Sequence, residues 1–353
     1  MNQIIKRNTI ILMIVILVQV IYTPKAYGYF NQIINTVEAI SIEVNNIYNK
    51  NLNTQNKSLD NISKSETRLE TTSFKINLVE DIKYKEELDL SQIDIQKYIE
   101  ATDNVSSNIS QINWKEVCAI TSVLFADNLL EVSENDIENI ASMFIENNNK
   151  LKSLEEVLEN LALTKEAENA IKRYNTDLTY YGTHPERLTE DTKYIEFINS
   201  IKDNAIKNYE NYKILPSITI AQAIVESGWG ESDLAIEYNN LFGIKADTSW
   251  DGNHVVLATT EFSSIPTSGK FRQYENKNDS ITDHAKFLYE NERYESYGVF
   301  DSNTYINQAN ALEEAGYSTL TNDAGQKIYA EYLIDLIRQY NLQLIDSEVQ
   351  SAK

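Results

Sequence analysis

Pro216 to Glu226, PSITIAQAIVE, is the stretch that most limits how this chain can fold. Ile218, Ala221, Gln222 and Val225 recur at i, i+3, i+4 and i+7 behind a proline, the pattern of a buried helix entered through proline in its first turn. Glu226 interrupts that apolar pattern at the last turn and is followed at once by Ser227, Gly228, Trp229 and Gly230. There the chain is expected to open into a cleft. The negative end of the helix dipole and an apolar wall would both raise the pKa of the Glu226 carboxyl, as a general acid working near neutrality requires. A glutamate that snorkels to solvent at a helix terminus is the alternative that the helix alone leaves open.

Little elsewhere in the chain breaks helices. Ten glycines and 4 prolines among 353 residues point to a mainly α fold with a minor β part (α+β), and the length fits two domains. The net charge of −22 argues against nucleic acid or anionic lipid as a partner. A glycan, read by hydrogen bonds and stacking, is not excluded. Cys118, the single cysteine, lies in the apolar run VCAITSVLF and is expected as a small core residue. His184, His254 and His284 fall in no zinc spacing and beside no nucleophile motif, so no metal and no organic cofactor is expected.

Residues 1–28 combine a basic start (Lys6, Arg7), an apolar run from Ile10 to Tyr22 and the small-x-small ending Ala26-Tyr27-Gly28. That is the pattern of a secretory signal cleaved after Gly28, with an uncleaved anchor as the competing reading. Export to the cell wall follows from it, with no stable membrane insertion after cleavage. Residues 29–75 are expected as a weakly helical, polar linker. Residues 76–175 are expected as a helical accessory domain, with helices over Trp114–Phe125, Glu134–Ile145 and Leu151–Ala162 and Ser133 as a helix cap. No catalytic constellation stands out in it, and its ligand is not legible. A connector at 176–191 leads to a last domain over 192–353.

In that last domain the spacing predicts helices over Asp191–Asn211, Pro216–Glu226, Ser280–Glu292, Thr304–Ala315 and Ala324–Tyr340. His254 to Phe262 alternates as a strand, paired with Phe271 to Tyr274 across a turn at Ser263 to Gly269. On that strand Val255, Leu257, Thr259 and Glu261 share one face.

AQAIVESGWGES followed by NNLFGIK, the TTEF segment around Glu261, FRQY at Phe271 to Tyr274 and AGYST at Ala315 to Thr319 occur in the order found in one family. From about Thr192 to Leu344 the chain resembles the glucosaminidase domain of bacterial cell-wall hydrolases, glycoside hydrolase family 73, of the autolysin and flagellar peptidoglycan hydrolase type. The resemblance implies a lysozyme-like domain, helices around a cleft with a small β-hairpin wing. It implies an endo-β-N-acetylglucosaminidase that cleaves the β-1,4 bond between N-acetylglucosamine and N-acetylmuramic acid in peptidoglycan glycan strands. A muramidase or lytic transglycosylase on the same fold, or a non-catalytic wall-binding protein, are the competing readings.

Within the resemblance, Glu226 matches the general acid and Glu261 the second carboxylate, either a base that activates water or a stabiliser of positive charge. Trp229, Phe242 and Tyr317 would offer aromatic surface to sugar rings, and Asn239 and Asn240 amide donors and acceptors. Where the family reads aromatic-Ala-Thr-Asp-Pro, this chain has Tyr317-Ser318-Thr319-Leu320-Thr321 and a further stretch before Tyr329. Tyr317 is favoured as the substrate-facing tyrosine, with Tyr329 as the other candidate.

Overall fold

The computed structural model describes residues 83–107, 109–146, 150–188, 193–259 and 267–351, all within the compact unit Ile76–Lys353. The expected signal segment and polar linker lie outside them. Among the described residues no helix is long and apolar enough to cross a membrane. The fold is mainly helical with one two-stranded antiparallel sheet, as the sequence led us to expect.

The first hydrophobic core is built from α1 (Ile95–Ser106), α2 (Trp114–Leu124), α3 (Glu134–Ser142), α4 (Leu154–Leu161) and α5 (Lys165–Asp177). Helix α2 is buried on most faces, from Trp114 to Val123, and α1, α3 and α5 pack against it. Short polar side chains set where these helices begin. Ser133 with Asp136, and Ser153 with Glu156, make reciprocal capping boxes on α3 and α4, which satisfy backbone N–H groups that a helix start leaves unpaired. The cap at Ser153 is why α4 starts three residues later than its apolar spacing suggested. Helices α1 and α5 were not anticipated, because α5 turns mainly Ala167, Ala170, Ile171 and Tyr174 inward, and alanines give little periodic signal. Cys118 is a free thiol at the centre of this core.

A second core surrounds α7 (Pro216–Ser227). Helices α6 (Lys193–Tyr212), α9 (Lys277–Tyr289), α11 (Tyr305–Glu314), α12 (Tyr329–Gln339) and α13 (Gln343–Ser351) all pack on it. Two short helices, α8 (Asp233–Tyr238) and α10 (Glu292–Ser296), complete the set. Every residue from Pro216 to Ile224 is buried, and Val225 alone departs from the expected stripe by facing out. Two expected helices shift their starts for local reasons. Asn276 caps α9 and starts it at Lys277, while the Asn322 side chain accepts from Ala324 N and Gln326 N and holds that stretch as a turn, so α12 begins only at Tyr329.

Strands β1 (His254–Thr259) and β2 (Thr267–Arg272) pair from His254 opposite Arg272 to Thr259 opposite Thr267. The second strand therefore starts four residues before the expected Phe271. Gly269, read from sequence as part of the turn, instead sits in the ladder opposite Leu257, where pairing overrides its turn preference. Residues 260–266 lie outside the described residues.

The N-terminus of α7 has no cap of its own, since Leu215 precedes Pro216. Asp346 of α13 supplies it, accepting from Ser217 N at 2.9 Å and Ser217 Oγ at 2.5 Å, while Gln308 Oε1 accepts from Leu215 N at 2.7 Å. Complete burial pushes the Asp346 carboxyl up to about 7, the two bonds from Ser217 opposing that rise.

A polar seam joins the two cores. On it Asp103 of α1 accepts from Tyr305 Oη at 2.6 Å, Arg338 Nη2 at 2.9 Å and Gln111 Nε2 at 3.0 Å. Arg338 Nε also donates to Tyr305 Oη, and Gln350 Oε1 accepts from Gln111 N.

Two stability predictions follow from these buried acids. Asp103→Ala strands the Arg338 guanidinium in the seam and should cost about 3 kcal/mol or more in urea unfolding, whereas a loss below about 1 kcal/mol would show that the pair is not needed. For Asp346 the folded pKa of about 7 lies above the ordinary aspartate value, so the folded state holds the extra proton. Its contribution is fully present below about pH 4 and is lost as pH rises through about 7. Unfolding free energies of Asp346→Asn and the parent should therefore diverge in favour of the variant between pH 5 and pH 8; parallel curves would contradict this.

Candidate active site

Glu226 lies in the last turn of α7, and the turn after it is built to bend sharply. Ser227 Oγ donates to Ala223 O and accepts from Gly230 N, and Gly228 takes a left-handed conformation that closes the helix. Gly230 has φ +75°, and a Cβ there would stand 2.6 Å from the Phe197 ring, so this turn admits no side chain at that point. Trp229, itself at φ 64°, is thereby folded inward onto Tyr194, Phe197 and Tyr340, with ring centroids 4.5, 6.1 and 4.9 Å away. Its indole packs the turn against α6 and the end of α12.

The Glu226 side chain is exposed overall, yet Oε1 accepts from the Tyr329 hydroxyl at 3.0 Å. Tyr329 is 2% exposed and also accepts from Gln222 Nε2 at 3.2 Å, one turn before Glu226 on α7. Protein atoms crowd the carboxyl on the α12 side, and this desolvation raises its pKa; the bond from Tyr329, which favours the carboxylate, opposes the rise. Water still reaches the open side, so the direction of the shift is what the geometry supports. The wall beside Glu226 is phenolic where the sequence suggested an apolar one.

Tyr317 follows Gly316, which turns the chain at φ +73°. Its ring stacks on Tyr329 with centroids 5.4 Å apart, and its hydroxyl lies 3.1 Å from His284 Nε2. Between the two candidate tyrosines, Tyr329 is the one bonded to Glu226 and Tyr317 stands behind it. His284 of α9 is 1% exposed and lies flat on Phe242, with centroids 3.8 Å apart and planes 8° apart. Burial pushes the pKa of His284 down to about 3, so the ring is neutral.

Other side chains singled out from the sequence are engaged in holding the loop after α8. Asn240 is buried; its Nδ2 donates to Ile244 O and Arg272 O and its Oδ1 accepts from Ile244 N, which ties NNLFGIK to β2. Asn239 ends α8 in a left-handed conformation and donates to Tyr274 O and Glu275 O. Phe242 is buried under His284. In FRQY, Arg272 pairs with Asp283 at 2.8 Å and Tyr274 donates to the same carboxylate at 2.6 Å, so that block anchors the hairpin to α9. Glu261 lies outside the described residues.

Gln222 and His284 are the site residues that the sequence reading passed over. Gln222 carried a signal, since an amide on a buried helix one turn from Glu226 needs a partner. His284 carried none, its partners being distant in sequence. Among the described residues no cluster of histidine, cysteine and carboxylate side chains could hold a metal ion.

Residues 202–342 match the glucosaminidase family model, described as mannosyl-glycoprotein endo-beta-N-acetylglucosaminidase. The exo-glucosaminidase LytG of Bacillus subtilis (strain 168) is 34% identical over 181 residues, which are 48% of this chain and 61% of that protein. Peptidoglycan hydrolase FlgJ of Vibrio parahaemolyticus is 38% identical over 131 residues, 35% of this chain and 42% of that protein. The chain thus spans less than two thirds of either relative's length. Among solved structures, the catalytic domain of the autolysin Auto from Listeria monocytogenes shares 31% identity over 45% of this chain and 90% of that one, with a TM-score of 0.39.

The contact between Tyr329 and Glu226 makes a prediction of its own. Tyr329→Phe removes the donor that favours the carboxylate, so the Glu226 pKa should rise in a carboxyl-carbon NMR titration. A pKa that stays put or falls would mean that the bond is not made in solution.

Proposed function

Residues 202–342 are a glucosaminidase domain, and from that premise we propose that this chain is a secreted peptidoglycan hydrolase. In this reading it is an endo-β-N-acetylglucosaminidase acting on the β-1,4 bond between N-acetylglucosamine and N-acetylmuramic acid. The observation that carries the proposal is the placement of Glu226 at the open end of a buried helix, desolvated on one side and bonded there by Tyr329. Hydrolysis of a glycosidic bond needs a protonated acid at the leaving oxygen and a second charged group for the oxocarbenium-like transition state. Glu226 takes the first role, its raised pKa keeping the proton available at higher pH than an ordinary glutamate allows.

Glu261, which falls in sequence between β1 and β2, is the proposed second group, as base or as stabiliser of positive charge. The relative named peptidoglycan hydrolase supports the choice of substrate, and the one named exo-glucosaminidase supports the sugar specificity. That second name sets the mode of attack, internal or from chain ends, as the open alternative. Export rests on residues 1–28 and the cell wall as the site of action on the substrate itself.

Digestion of purified wall, borohydride reduction of the products and mass spectrometry test the whole reading. Newly formed reducing-end N-acetylglucosamine is expected, in fragments of mixed length, and Glu226→Gln should slow their release about 100-fold or more with unchanged folding. Reducing-end N-acetylmuramic acid, or an undiminished Glu226→Gln enzyme, would overturn it.

A further inference from the structure

Gln222 and Glu226 lie one turn apart on α7, so their side chains project from the same face of the helix. Tyr329, at the start of α12, meets both. Its hydroxyl oxygen accepts from Gln222 Nε2 at 3.2 Å, and it donates its own proton to Glu226 Oε1 at 3.0 Å. A phenol has one proton to give, so what Gln222 presents to it decides where that proton points.

An amide can face the phenol with either end, and its orientation is assigned from the partners it meets. With Oε1 of Gln222 towards Tyr329, a carbonyl and a carboxylate would compete for one proton. With Nε2 there, the phenol oxygen accepts from Gln222 and the proton goes to the carboxylate, in a charge-assisted bond stronger than one to a neutral carbonyl. This orientation has a cost in the core. Gln222 is fully buried and its Oε1 has no hydrogen-bond partner among the described residues, and an unsatisfied buried carbonyl destabilises a fold. A methionine would fill a similar volume without that cost. The amide is thus ill suited to packing and well suited to holding Tyr329.

We propose that Gln222 is a positioning residue: its amide N–H, held on the Tyr329 oxygen, commits the phenol proton to Glu226 Oε1 and leaves Oε2 as the oxygen that carries the acid's own proton. This rests on Glu226 being the general acid and adds how that acid is aimed. As the Oε2–H bond breaks, the proton moves to the leaving glycosidic oxygen and the electron pair stays on the carboxyl group. The Tyr329 bond on Oε1 strengthens as that negative charge develops, so it favours the transition state over the bound substrate. The groups that bear on Glu226 are few: Tyr329 by its hydrogen bond, Gln222 through Tyr329, and the phenol of Tyr317. Among the described residues no charged side chain moves the pKa of Glu226, and none but Glu226 moves that of Tyr329.

The test uses the full chain with Gln222→Met, which keeps the volume and removes the donor. On wall glycan kcat should fall about tenfold, the worth of one aligned hydrogen bond, with KM little changed. The basic limb of the kcat–pH profile should move to higher pH, because a carboxylate whose donor is no longer held in place keeps its proton longer. The urea midpoint should equal or exceed that of the parent, which separates positioning from packing. Because Gln222 acts through Tyr329, adding Gln222→Met to Tyr329→Phe should lower kcat no further. An unchanged kcat and pH profile, a change in KM alone, a lower urea midpoint, or losses that add in the double variant overturn the proposal. If the parent releases no glycan at all, the functional reading fails separately; carboxyl-carbon titration of Glu226 in the parent and in Gln222→Met then decides the role of the amide, with an unchanged pKa overturning it.

Discussion

Side chains from the C-terminal part of the chain reach helix α7 at both ends. At its start Asp346 takes the N–H and hydroxyl of Ser217, and at its end Tyr329 meets Glu226. A helix buried on nearly every side cannot give the unpaired N–H groups of its start to water, so they must find protein partners. That requirement brings α13 onto α7, whereas the left-handed turn at Gly228 closes the other end. There the phenol of Tyr329 from α12 meets the side chain of the candidate acid.

The same logic explains how the site divides its labour. Glycosidic chemistry needs a carboxyl that water can reach from one side and protein from the other. Side chains that from sequence could meet a sugar also hold the frame. Asn240 ties a loop to β2, Trp229 packs the turn after α7, and Phe242 forms a floor for His284. What they secure is the position of neighbours, and the polar contact with Glu226 itself comes from Tyr329 and, through it, Gln222.

Where the fold was legible, the signal was local. Pro216 and the apolar spacing behind it marked α7, and Ser133 marked the start of α3 through bonds within one turn. Glu226 was legible because a carboxylate on such a helix contradicts its pattern. The misses were non-local. Gly269 looks like a turn residue until Leu257 pairs with it, and which tyrosine bonds Glu226 depends on how α12 approaches α7. Helix α5 escaped notice because alanine faces carry little hydrophobic contrast. The strand pairing and the tyrosine contact are settled by atoms far apart in sequence, which spacing alone does not encode.

The seam between the two cores has a bearing on how the chain is made. Asp103 and Gln111 face Tyr305, Arg338 and Gln350 across it, and all of these are groups that water can solvate. A nascent chain emerging from the ribosome completes the Trp114 core, whose last buried residue is Leu178, 338 − 178 = 160 residues before Arg338 is synthesised. With these wettable groups where the later half will dock, that part of the early body stays solvated while it waits and gives its neighbours little to stick to.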